Sequence, residues 1–203
     1  MSITKQNIID TAFALFREKS YDRVTVNDIC AACSITKTTF YYHLNSKGDI
    51  LSSFYDSVIK DMSSRLLDVF NADNYWERLM ACFDMLIDTS GNIGAELYAQ
   101  MYIVNLKEDR GTFNFNENLT KLAVLLIERA QKAGQIRNQS PARPLYRAAA
   151  HTFEGYDLLW CIKDGNFDRK PVIRRAMEDI FDVNPEYRIY PINADDSVYY
   201  TQS

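Results

Sequence analysis

Apolar side chains recur at helical spacing along most of this chain. Ile9, Ala12, Phe13 and Phe16 stand at i, i+3, i+4 and i+7, which predicts a helix over about residues 4–19 with one buried stripe. Phe40 and Leu44 lie one turn apart, while Lys37, Thr38, Tyr41 and Tyr42 fall on the opposite arc of the same short helix. Ser46 is a natural N-cap for a longer helix that carries Ile50, Leu51, Phe54, Tyr55, Val58, Ile59, Met62 and Leu66 to about residue 70. Residues 71–74 read as a connector. Further helices are predicted over 75–88, 95–108, 115–132, 143–163 and 172–181, with Gly134 and Gly165 as stops and Pro171 just ahead of the last. Seven glycines and five prolines in 203 residues are too few for a strand-and-turn architecture, so the expected class is all-α.

The segment 25–47 predicts two short helices joined by a tight turn. Thr25 and Thr36 can each cap the helix that follows, because a hydroxyl accepts from a free first-turn amide. The second helix is anchored on one side by Phe40 and Leu44 and free on the other, the requirement for lying in a DNA major groove. Thr36, Lys37, Thr38 and Thr39 at its start can approach base edges. Tyr41, Tyr42, His43 and Lys47 supply phenol, imidazole and ammonium donors suited to phosphate oxygens.

Residues Ile8 to Phe16, Tyr21, Val24 to Ile29 and Thr39 to Leu44, with Ser46-Lys47 and Ile50-Leu51, occur in the order and register of a known family. This first quarter of the chain resembles the N-terminal domain of the TetR/AcrR transcriptional regulators. The resemblance implies a helix-turn-helix domain over 1–48, a helical regulatory and dimerisation domain over 49–183, and a tail over 184–203. It also implies a homodimeric repressor that binds palindromic operator DNA and is released by a small-molecule effector. The DNA-contacting set becomes Thr25, Asn27, Thr36, Lys37, Thr38, Thr39, Tyr41, Tyr42, His43 and Lys47. Three departures stand out: Ser34 replaces the usual turn glycine, Cys30 and Cys33 replace small alanines, and Asn27 stands where arginine is common.

Charge refines this picture. Residues 1–48 carry a net +2 and the remainder −6, so a basic contacting face can sit on an otherwise acidic protein. Cys30, Cys33, Cys82 and Cys161 follow no disulfide framework, and Cys30-x-x-Cys33 lacks a second ligand pair for a metal. No signal peptide is read, and the longest apolar run, 122–127, is far too short to span a bilayer, so a cytoplasmic protein with no membrane partner is expected. No cofactor is expected either.

Two other function classes compete with this reading. With two histidines, no nucleophile elbow and no motif-marked carboxylate pair, the inventory argues against an enzyme. A helical interaction protein without DNA binding is the remaining alternative, since +2 is a small margin. The Ser90–Gly94 stretch lacks the Lys and Ser/Thr of a phosphate loop and reads as an interhelical turn.

Two surfaces of the larger domain are expected from side-chain type. Phe83, Tyr98, Met101, Tyr102, His151, Phe153, Tyr156 and Trp160 would suit a mostly apolar effector with one or two polar handles, though such stripes more often form plain core. In the family the last two body helices pair with their symmetry mates. Here Thr152, Gly155, Tyr156, Leu159 and Trp160, with Ile173, Met177, Ile180 and Phe181, could supply that face or close the monomer's own core. Tyr187, Tyr190, Tyr199 and Tyr200 in the tail either fray or pack back on the body or on the partner subunit.

Overall fold

The computed structural model describes residues 4–62, 71–114 and 116–190, with side chains described at all of these except 57–62. These residues form α1 (Lys5–Lys19), α2 (Val26–Ala32), α3 (Lys37–His43), α4 (Lys47–Met62), α5 (Tyr75–Ile93), α6 (Ala95–Lys107), α7 (Glu117–Lys132), α8 (Ala142–Ile162) and α9 (Arg169–Ile180), followed by a 3-10 turn at Pro185–Tyr187. The class is all-α, and the described residues contain one isolated antiparallel bridge, Ile136 with Val183, and no strand. The predicted continuation of α4 to residue 70, including Leu66, lies outside the described residues.

The chain divides into two compact units that do not follow chain order. The first comprises 1–63 with 93–114, and the second 64–92 with 115–203. Local chemistry sets the helix starts of the first unit. The Thr4 hydroxyl accepts from the Asn7 amide, Thr25 from Asp28 and Thr36 from Thr39. Ser46 accepts in the same way from Asp49 at the start of α4. Ile8, Ile9, Ala12, Phe13 and Phe16 of α1 meet Ile29, Phe40, Leu44, Ile50 and Leu51 in one buried core. Burying an aromatic such as Phe16 or Phe40 stabilises by roughly 1.5–3 kcal/mol. Helix α6 packs on α4 so closely that a Cβ at Gly48 would lie 3.2 Å from a Val104 methyl.

In the second unit, α8 packs on both α7 and α9. Trp76 is fully buried edge-on to Phe181, and its amide donates to the Gln135 side chain at 3.0 Å. Helix α5 runs five residues beyond the predicted 88, through Ser90 and Gly91. The Ser90 hydroxyl donates back to the Leu86 and Ile87 carbonyls, which satisfies a polar group inside the helix. The break falls at Gly94 instead, where φ is +92°. Helix α9 begins three residues earlier than predicted because the Asp168 side chain accepts from the Lys170 amide, leaving Pro171 inside the first turn where it needs no donor.

The tail does not fray at residue 184. Fully buried Glu178 accepts from the amides of Ile189 (3.0 Å) and Tyr190 (3.3 Å) and pairs with Arg174 and Arg188, which clamps 188–190 onto α9. Tyr199 and Tyr200 lie outside the described residues.

Candidate nucleic-acid interface

The turn between α2 and α3 is closed by two backbone bonds, Ile35 N–H to Cys30 C=O (2.9 Å) and Ser34 N–H to Ala31 C=O (3.1 Å). Ser34 sits at φ +55°, so the position that the family fills with glycine does take the left-handed conformation here. Helix α3 is held from below by Phe40 and Leu44, both buried. Lys37, Thr38, Tyr41 and Tyr42 all point to solvent, Tyr42 with 83% and Tyr41 with 52% of its surface exposed. A phenol that exposed contributes little to this chain's own core, whereas it offers a donor and a flat ring outward. His43 is half-buried and lies edge-on to Tyr42 at 5.0 Å.

Several predicted contact residues already have internal partners. The Thr25 hydroxyl donates to the Asp28 carboxylate at 2.6 Å, and this bond and the Thr25 backbone amide hold Asp28 below the usual carboxylate range. Thr36 and Thr39 share a hydroxyl contact of 3.0 Å. The Lys47 ammonium donates to the Tyr21 carbonyl (2.7 Å) and the Val24 carbonyl (3.0 Å) and lies 4.0 Å from the Tyr21 ring centroid. Lys47 therefore ties α4 to the 21–24 turn, and burial lowers its pKa. Asn27 is exposed on α2. Cys30 is buried and Cys33 half-buried.

The residues predicted for an effector pocket are divided between the units. Tyr98, Met101 and Tyr102 belong to the first, where Tyr102 stacks on Phe113 at 4.4 Å. Phe83, His151, Phe153, Tyr156 and Trp160 belong to the second. There Phe83 packs against Phe153 at 5.7 Å and borders a small cavity shared with Leu79, Cys82, Leu86, Leu119, Ala123 and Tyr146. Its free room is about 20 Å³, enough for one water-sized body. Burial pushes the Cys82 thiol up to about 11 and raises the Tyr146 phenol, while the Thr120 hydroxyl pulls that phenol back.

One expectation is corrected here, and one open alternative is narrowed. His151 is not an interior group: its side chain is largely exposed and pairs with Glu154 at 3.2 Å. Ile173, Met177 and Phe181 are fully buried in their own unit, so α9 closes that core and leaves little apolar face for a partner. On α8, by contrast, Gly155, Leu158 and Ile162 are exposed along one side with Thr152 and Leu159 half-exposed beside them. Among the described residues no helix is long and apolar enough to cross a membrane.

Sequence reasoning missed Asp49, Arg110 and most of the cavity wall. Asp49 was readable, since Ser46-Lys47-Gly48-Asp49 has capping-box spacing. No local signal marks Arg110 as its partner 61 positions away.

Residues 8–54 match the family described as "Bacterial regulatory proteins, tetR family". Over 99 residues the chain is 32% identical to the negative transcriptional regulator IcaR of the biofilm operon icaADBC of Staphylococcus aureus, a match that covers 49% of this chain and 52% of that protein. The chain thus spans about half the length of the curated relatives it matches. Among solved structures, the TetR-family repressor FadR of Thermus thermophilus in complex with lauroyl-CoA is similar with a TM-score of 0.70 at 16% identity, covering 95% of this chain and 99% of that one. FadR of Bacillus subtilis in complex with stearoyl-CoA is similar with a TM-score of 0.61 at 17% identity, covering 88% and 98%. At those identities the likeness concerns the fold. Residues 8–54 thus carry, in register, the helix-turn-helix signature of the tetR family of bacterial regulatory proteins, and the fold of nearly the whole chain is similar to that of a TetR-family repressor.

Proposed function

We propose that this chain is a transcriptional repressor that reads palindromic operator DNA as a homodimer and is released by a small-molecule effector. The observation that carries the reading is the outward arc of α3, where Lys37, Thr38, Tyr41 and Tyr42 face solvent while Phe40 and Leu44 pin the helix. Lys37, Thr38 and Asn27 are placed to approach bases, and Tyr41, Tyr42 and His43 to donate toward phosphates. Thr25, Thr36 and Thr39 serve chiefly by capping. Lys47 is left out of the contacting set, because its ammonium is already engaged.

A two-fold partner would dock on the exposed side of α8, at Gly155, Leu158 and Ile162, so that two reading helices meet successive major grooves about 34 Å apart. The effector proposed is mostly apolar with one polar group. The wall of Leu79, Phe83, Leu86, Leu119 and Ala123 with the Tyr146 hydroxyl and Cys82 thiol supports that chemistry, as do the acyl-CoA ligands of the two FadR proteins. The cavity is small, so such a ligand has to push these helices apart to enter, and that movement is the proposed source of release.

Duplex fragments selected by the protein from a randomised pool provide the probe. Lys37→Ala and Tyr42→Ala should each weaken binding roughly tenfold or more with the helical fold unchanged. Affinity should also fall steeply with salt. A protein that selects no duplex would favour the helical adaptor instead, and two folded variants that bind as tightly as the parent would overturn the assignment of contacts to α3.

A further inference from the structure

We infer that Arg110, far from the reading helix in sequence, positions that helix through Asp49. The inference rests on the DNA-binding reading above. Asp49 stands in the first turn of α4 and gathers three donors: the Asn45 amide at 2.7 Å, the Ser46 hydroxyl at 2.8 Å and the Arg110 guanidinium. Asn45 follows Leu44, the residue that ends α3, so one carboxylate grips the turn between the reading helix and α4.

Arg110 is itself held in place. Its amide donates to the Asn105 side chain at 3.2 Å, the Asn105 side-chain amide donates to the Met101 carbonyl at 2.9 Å, and the guanidinium also reaches Glu108 at 2.6 Å. One residue further on, Gly111 turns at φ +69°, and the Thr112 hydroxyl meets that of Ser52 on α4 at 3.3 Å. The end of α6 and the loop after it are therefore bonded to the first turns of α4, where Gly48 lets Val104 come close. Burial pushes the Asp49 carboxyl up, but Arg110, Ser46 and Asn45 together outweigh it and hold the group ionised. All of these residues lie within the first unit.

The alternatives are that Arg110 touches phosphate directly or only stabilises the fold. A double-mutant cycle separates them, using Arg110→Gln, Asp49→Asn and the pair, with Arg110→Lys as the conservative variant. The probe is a duplex selected by the parent protein from a randomised pool. Asp49→Asn keeps an oxygen for the Asn45 amide, so it should fold even if Arg110→Gln does not. Each single variant should weaken binding about tenfold, the double variant no more than either single, and Arg110→Lys should recover part of the loss. Amide exchange at Asn45, measured without DNA, should quicken in Arg110→Gln. Additive losses, no recovery with lysine, unchanged Asn45 exchange or parental affinity in Arg110→Gln would each overturn the inference. A parent protein that selects no duplex would overturn the DNA reading as well, an outcome distinct from the others.

Discussion

Each unit of this protein holds an arginine–aspartate pair, and the two pairs solve opposite problems. Asp49 and Arg110 keep 15% and 22% of their side chains exposed, against 1% and 3% for Asp157 and Arg169. Around Asp49, three donors converge on one carboxylate and the charged form wins despite burial. Around Asp157, burial dominates and pushes the carboxyl up to about 6, although Arg169 at 2.9 Å and the Ser90 hydroxyl draw it down. The guanidinium of Arg169 is shared: it donates to the Ile87 carbonyl (2.8 Å) and the Ser90 hydroxyl (2.6 Å) and lies 3.6 Å from the Trp160 ring centroid. Proximity to an arginine does not by itself keep a carboxylate ionised. The number of donors aimed at it, set against the water removed, decides.

The largest expected effect is on the buried pair. Arg169→Ala should cost about 3–5 kcal/mol at neutral pH in chemical denaturation, because Asp157 would lose its counter-charge and have to take up a proton, and the contacts to Ser90, Ile87 and Trp160 would be lost together. Replacing both partners, Asp157→Leu with Arg169→Met, should recover most of that loss. Arg110→Ala should cost only about 1 kcal/mol in stability, as its pair remains partly open to water. Equal losses at the two arginines would erase the contrast.

Acid should separate the pairs by sign. The folded pKa of Asp157 is raised above the unfolded value of about 3.9, so the folded state holds the proton more tightly between roughly pH 4 and 6. Stability from this group is greatest below about pH 4 and declines by about 3 kcal/mol as the pH rises to about 6. Asp49 runs the other way: its folded pKa is lowered, so its contribution is present above about pH 4 and fades as acid protonates the folded form. Denaturation midpoints of the parent and of Asp157→Asn, compared from pH 4 to 7, should converge toward the acid end, apart from a constant offset. Parallel curves would mean that Asp157 stays ionised throughout.

These pairs also mark where sequence legibility ended. Helix positions, the caps at Thr25, Thr36 and Ser46, and the anchor residues Phe40 and Leu44 were readable because each depends on neighbours within about one turn. The outward placement of Tyr41 and Tyr42 followed from the same period. Lys47 looked like a free cation because its acceptors, the carbonyls of Tyr21 and Val24, are more than twenty residues away and carry no side-chain signature. Gly91 looked like a break because a glycine's neighbours are invisible in sequence, yet α5 runs through it and a Cβ there would meet Arg169 at 3.8 Å. The apolar stripe of α9 was ambiguous for the reason periodicity always is: it shows which face is covered, not by what.

The smallest effect concerns how the two units stop their helices. In the second unit α7 stops on Gly134 at +72°, the turn after α8 joins Asp164 at +52° to Gly165 at +78°, and Asp182 after α9 sits at +45°. The first unit asks the same of Ser34 at +55°, between α2 and α3. An L-residue there costs roughly 1–2 kcal/mol that glycine avoids, while glycine adds roughly 0.5–1 kcal/mol of unfolded-chain entropy. Ser34→Gly should therefore raise stability by about 0.5 kcal/mol, seen as a small rise in Tm. Because the Schellman bonds from Ser34 and Ile35 involve only backbone, α3 should stay in place and duplex affinity should not change. A gain in stability accompanied by weaker DNA binding would show that the serine hydroxyl, or the strain at this turn, takes part in holding α3 for DNA.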